Sequence, residues 1–180
     1  MKYYLVALFD DESYQNLNPI QRNLSKRFKA NRNSPMPYIP LEIIENPNIE
    51  KLDTVVNKII SPYKNFKVQL STEVLISESN KTLNIKIEDV GYIKRITRLI
   101  SDTLKLHGFN TQDNFNEAER IISLASLNYI PRDMRKSDNQ VNFKANIETL
   151  KVDRVEIWKF PNNKRETPIK SYPLKKNLNL

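Results

Sequence analysis

The sequence contains no cysteine, only two glycines and a single histidine in 180 residues. Without cysteine there is no disulfide, no thiolate nucleophile and no thiolate metal site, so a metal would have to be held by carboxylates. That absence suits a reducing compartment. The glycines, Gly91 and Gly108, are too few for a dinucleotide fingerprint or a phosphate-cradling loop. With His107 as the lone imidazole, mechanisms built on two histidines are excluded. No apolar run approaches the roughly 18 residues of a membrane span. The apolar stretch from Tyr3 to Phe9 gives way to Asp10-Asp11-Glu12 too soon for a secretory signal. A soluble, cytoplasmic protein is expected.

What the chain does have is positive charge. Lysine and arginine number 29 against 21 aspartates and glutamates, a net charge of +8, which favours polyanionic partners because each neutralised phosphate releases counterions. Hydrophobic residues make up 39% of the chain, enough for a sizeable core.

Periodicity sets the elements. Tyr3 to Phe9 reads as a buried strand, and Leu17, Ile20, Leu24 and Phe28 recur at helical spacing after it. Pro35 and Pro37 extend the chain into a strand from Tyr38 to Ile44, with Ile39, Leu41 and Ile43 on one face and Tyr38, Pro40 and Glu42 on the other. Asn48 caps a helix that Pro62 stops. Strands around Phe66-Val68-Leu70 and Leu83-Ile85-Ile87 form an antiparallel hairpin. Asp89 caps a third helix with Ile93, Ile96, Leu99, Ile100 and Leu104 as its apolar stripe, ended by Gly108. Ile121 to Leu127 is a strand, with Ile122 and Leu124 on one face and Ile121, Ser123 and Ala125 on the other. Pro131 to Asn146 is a polar loop or short helix. A long strand, Val152 to Phe160, a turn, Pro161 to Lys164, and a final strand, Ile169 to Leu174, complete an α+β chain without an internal linker. The halves echo one another in Tyr38-Ile39-Pro40-Leu41 and Ile121-Ile122-Ser123-Leu124.

The opening Lys2-Tyr3-Tyr4-Leu5-Val6-Ala7-Leu8, the amphipathic helix, the Pro-x-Ile-x-Leu strand, the helix and hairpin, and the second Ile-x-Leu-Ala strand follow an order and spacing that resembles the 2H phosphoesterase superfamily. That group includes the 2′-5′ RNA ligase-like proteins and cyclic phosphodiesterases. The resemblance spans nearly the whole chain and implies one domain, residues 1–180, of two pseudo-twofold lobes. Antiparallel sheets flanked by helices would surround a central groove. In that family each lobe contributes a His-x-Thr, the imidazoles exchanging protons and the hydroxyls holding a phosphate diester, without metal or cofactor. Here the first histidine position falls on Tyr38 and the first threonine on Pro40; the second pair falls on Ile121 and Ser123. Only Ser123 keeps the chemistry of its position.

The resemblance therefore implies a catalytically inactive homologue that binds a nucleotide, cyclic oligonucleotide or RNA end, as a monomer. Its candidate contacts are Tyr38, Arg120 and Ser123, with Arg132 and Arg135 flanking the groove. Tyr38 offers stacking or a hydroxyl donor, or simply an aromatic covering the sheet. Arg120 offers a bidentate phosphate contact or a solvated strand-end charge. Tyr4 reads as a core aromatic or as one lining the groove, and Trp158 with Phe160 as core or as a stacking platform. Lys94, Arg95 and Arg98 read as a solvated helix face, and His107 as a helix-end residue interacting with free carbonyls. Two alternatives stand beside this. One is diester hydrolysis using Tyr38 with Glu42 or His107; the other is a protein-interaction module whose groove is filled by side chains.

Overall fold

A computed structural model describes residues 1–88, 91–112, 120–130, 149–160 and 165–179. The Asp89 cap, Arg132, Arg135 and the segments Pro131 to Asn146 and Pro161 to Lys164 lie outside them. Along the chain come β1 (Lys2–Phe9), α1 (Asp11–Arg27), β2 (Ile39–Glu45), α2 (Ile49–Ile60), β3 (Phe66–Ser77) and β4 (Thr82–Glu88). They are followed by α3 (Gly91–Leu106), β5 (Asn110–Thr111), β6 (Ile121–Ser126), β7 (Thr149–Phe160) and β8 (Thr167–Pro173).

Local chemistry explains where the elements begin. Asp10 accepts from the Ser13 amide at 2.9 Å and Asn48 from the Lys51 amide at 3.0 Å, so each caps a helix. In α3 the buried set is Ile93, Ile96, Thr97, Ile100 and Leu104. Leu99, expected in that stripe, is instead 45% exposed, because it lies a fraction of a turn off the buried line.

The eight strands among the described residues join one antiparallel sheet in the order β5-β2-β1-β7-β3-β4-β6, with β8 also pairing β7. The two lobes are thus halves of one continuous sheet, joined through β7, whose Val152 pairs with both Phe9 and Phe66. On the helix-covered face Leu5, Ala7 and Phe9 of β1 enter the main core. On the other face Val6 and Leu8 pack with Tyr38 and Trp158 in a smaller cluster, with Tyr4 and Phe160 against it.

The internal repeat is real at the level of register. Leu5 pairs with Glu42 and Val6 with Pro40, leaving Leu41 as the extra residue of a bulge. Leu83 pairs with Ala125 and Asn84 with Ser123, leaving Leu124 as the extra residue of a second. Leu41 and Leu124 occupy the same place in their repeats. Each bulge shifts the alternation after it, which corrects three expected faces: Glu42 leaves the side of Tyr38 and Pro40 and lines a separate cavity with Leu41. Ile44, not Ile43, joins Ile39 and Leu41 in the main core, and Ala125 turns into that core beside Leu124.

Candidate functional site: a groove between the motif strands

The ends of the sheet path meet at the motif strands. The Tyr38 amide donates to the Ser123 carbonyl at 3.1 Å and the Ser123 amide returns the bond to Tyr38 at 2.8 Å. This is an isolated bridge. The next residue whose amide would extend the ladder toward Ile121 is Pro40, which has no N–H, so the pairing stops after one step. Beside that bridge lies an open groove of about 470 Å³. Pro40 therefore does not close it.

Tyr38, Pro40, Ile121 and Ser123 all line this groove, with Tyr4 and Phe160 among the other lining residues. The four motif positions of the two repeats are thus brought together. Tyr38 is only 6% exposed, and its ring meets Trp158 edge-on with centroids 5.0 Å apart. Trp158 packs against Tyr38 in the smaller cluster, its indole donating to Glu156 at 2.7 Å. Tyr4 and Phe160 are half-buried and pack with centroids 4.4 Å apart on the groove.

Burial pushes the Tyr38 hydroxyl up to about 12, against an opposing hydrogen bond with the Ser123 side chain. The phenol therefore holds its proton throughout the physiological range and acts as a hydrogen-bond donor.

Asn84 was missed by sequence reasoning. It is 1% exposed, faces the groove from β4 and pairs across with Ser123. Its Nδ2 makes a long 3.4 Å bond to the Thr82 carbonyl, and its Oδ1 meets no partner among the described residues. The available signal was a polar residue interrupting Leu83-Asn84-Ile85.

Arg120 does not join Tyr38 and Ser123. Preceding Ile121 on an alternating strand, it falls on the opposite face, buried at 6% against a separate cavity that Glu42 also lines. Glu42 is 3% exposed, its Oε1 accepting from the Ile43 amide at 3.0 Å. His107 follows α3, with Nδ1 3.0 Å from the Thr103 carbonyl, and does not line the groove. Arg132 and Arg135 are outside the described residues. Among the described lining residues Lys81 is the one cation, and there is no carboxylate. No cluster of metal-ligating side chains occurs among the described residues, and no helix among them is long and apolar enough to cross a membrane.

A helix-backed antiparallel sheet whose repeated motif strands meet at a shared groove defines the 2H phosphoesterase fold, and the chain has it. No protein-family model matches the sequence, and no curated protein matches it. Among solved structures, the chain is similar to E. coli LigT at 11% identity and TM-score 0.63, covering 97% of each chain. It is similar to the TT0787 protein of Thermus thermophilus at 15% identity and TM-score 0.64, covering 98% of this chain and 99% of that one. Kluyveromyces marxianus Usb1 aligns at 14% identity and TM-score 0.56, over 96% and 98%. LigT has also been solved in complexes with 3'-AMP and ATP. At these identities the likeness is one of fold.

Proposed function

We propose that this protein is a catalytically inactive 2H phosphoesterase homologue that binds a nucleotide, cyclic oligonucleotide or RNA end in the groove. One observation carries the reading: all four motif positions line a single open groove, and no acid–base pair stands among them. Pro40 and Ile121 carry no exchangeable side-chain proton. Tyr38 retains its own, and Ser123 is a hydroxyl beside it. Proton transfer by a positioned group contributes about 100- to 10,000-fold, so replacing both imidazoles removes most of the rate the family mechanism would supply.

What remains suits binding. Tyr38 and Ser123 offer hydroxyls, Asn84 an acceptor, and Tyr4 with Phe160 an aromatic wall on which a base can stack. Arg132 and Arg135, a few residues beyond β6, are the proposed phosphate contacts. The LigT complexes with 3'-AMP and ATP support nucleotide as the ligand class. The alternative of hydrolysis by Tyr38 with Glu42 or His107 lacks support, since neither partner lines the groove. A module whose groove is filled by side chains is disfavoured by the open volume.

The test is equilibrium binding of a short RNA ending in 2′,3′-cyclic phosphate against the same RNA ending in a hydroxyl, across a salt series. Preference for the cyclic end that survives high salt is expected. Equal binding that fades with salt would reduce the interaction to surface charge and remove the groove from it.

A further inference from the structure

Asn84 is a polar residue in an otherwise apolar stretch of β4. Leu83 and Ile85 on either side of it enter the main core, so alternation turns Asn84 to the opposite face, where it lines the groove with Thr82 and Ser123. Only 1% of it is exposed. Its Nδ2 donates to the Thr82 carbonyl at 3.4 Å, and its Oδ1 has no partner. That carbonyl fixes which atom is left over, because a reversed amide would set two acceptors against each other. Tyr38 and Ser123 differ in this respect, since their hydroxyls bond one another. Among the described residues of the groove, Asn84 Oδ1 is the one buried side-chain polar atom left without a hydrogen bond.

A buried acceptor left unmade destabilises the free protein, and a ligand donor that meets it recovers the loss. A phosphate oxygen is itself an acceptor and cannot do so; the ligand group at this place carries N–H or O–H. The amide distinguishes between these. Nδ2 has a second hydrogen beyond the one given to Thr82, so Asn84 offers an acceptor and a donor side by side. A hydroxyl, with both functions on one atom, does not span the two, whereas an amino group next to a ring nitrogen does, as when an asparagine amide meets adenine. At 3.4 Å the bond to Thr82 is weak, so the amide turns toward such an edge at little cost. Tyr4 and Phe160 on the same groove supply a face for the base to stack on.

We propose that Asn84 is the base-reading residue of the groove and selects a nucleotide whose base carries an exocyclic amino group, with adenine as its probe. Lys81, exposed and the one cation of the described lining, meets the phosphate without regard to the base. This selection presupposes the nucleotide ligand of the proposed function and adds which part of it is read.

Calorimetric titration of the whole chain with adenosine 2′,3′-cyclic phosphate and with inosine 2′,3′-cyclic phosphate tests it, because inosine carries a carbonyl in place of the amino group. Wild type is expected to bind the adenosine ligand roughly fivefold or more tightly than the inosine one, as a bidentate base contact implies. Asn84→Leu is expected to abolish that preference and, in urea unfolding without ligand, to be at least as stable as wild type, since the unmade acceptor is gone. Lys81→Gln is expected to weaken both ligands alike and leave their ratio unchanged. Equal binding of the two ligands by wild type, or a preference that persists in folded Asn84→Leu, would overturn the assignment while leaving a nucleotide groove in place. Binding of neither ligand would overturn the nucleotide reading itself and this assignment with it. The wild-type comparison needs no variant, so it decides the matter even if Asn84→Leu fails to fold.

Discussion

Tyr38 shows how one substitution changes what a position does. At a place where the resemblance would put an imidazole, a buried phenol with its ionisation pushed up to about 12 can donate a hydrogen bond but not take a proton near neutrality. The same burial links it to stability. Below about pH 10 the phenol is protonated in both folded and unfolded chains; between about 10 and 12 the unfolded chain loses its proton first. The stability contributed by neutral Tyr38 is therefore complete below about pH 10 and is lost as pH rises through its folded value. Tyr38→Phe is expected to flatten that decline, measured as the urea midpoint at about pH 8 and about pH 11. An equal decline in both proteins would show that Tyr38 is not protected as described. Residue-scale legibility was uneven. Tyr38 and Ser123 were singled out only through the family resemblance, and strict alternation from Ile121 and Ser123 already sends Arg120 to the opposite face, so that misplacement lay in adjacency overriding parity. Asn84 was harder, because it reaches Ser123 through a cross-strand register that no local pattern encodes.

At the scale of elements, strands and helices were legible because their periods of two and 3.6 leave marks in apolar spacing. The bulges were not. An extra residue at Leu41 or Leu124 is an ordinary leucine in sequence, and only pairing with β1 or β4 reveals it. The cost of missing them was the wrong face for Glu42, Ile43 and Ala125. The tiny β5, which pairs only Ile44 and Glu45, likewise has too few residues for any period. Bulged backbone needs its polar groups satisfied, and at Leu124 the side chain of Gln21 does this from α1. Gln21→Ala is expected to cost about 1 kcal/mol from the lost hydrogen bond, and Leu124→Ala about 2–5 kcal/mol through the cavity it leaves in the core. Urea unfolding of the two variants checks both values; a Gln21→Ala protein as stable as wild type would deny that the contact supports the bulge.

At the scale of the whole molecule, the repeat makes a sheet whose two ends return to one another at Tyr38 and Ser123, and the groove is the consequence of that closure. Overall architecture was legible because element order and repeat echo are carried by apolar spacing and not by the motif residues. Sheet continuity through β7 was not, since one long strand serving both lobes looks like any long strand. If the four positions retain the geometry of the family site, restoring its residues should restore chemistry. A chain carrying Tyr38→His, Pro40→Thr, Ile121→His and Ser123→Thr is expected to open 2′,3′-cyclic nucleotides at least about 100-fold faster than wild type, measured by product release. A folded but inert variant would mean that the positions no longer converge as the pairing indicates. The central claim is that the groove holds a phosphate end without turning it over. It is tested most directly by phosphorus NMR of a short RNA ending in 2′,3′-cyclic phosphate, followed over time with excess protein. The account predicts a shifted cyclic-phosphate resonance that persists unconverted. Steady conversion to a phosphomonoester, or a resonance that never moves, would contradict it.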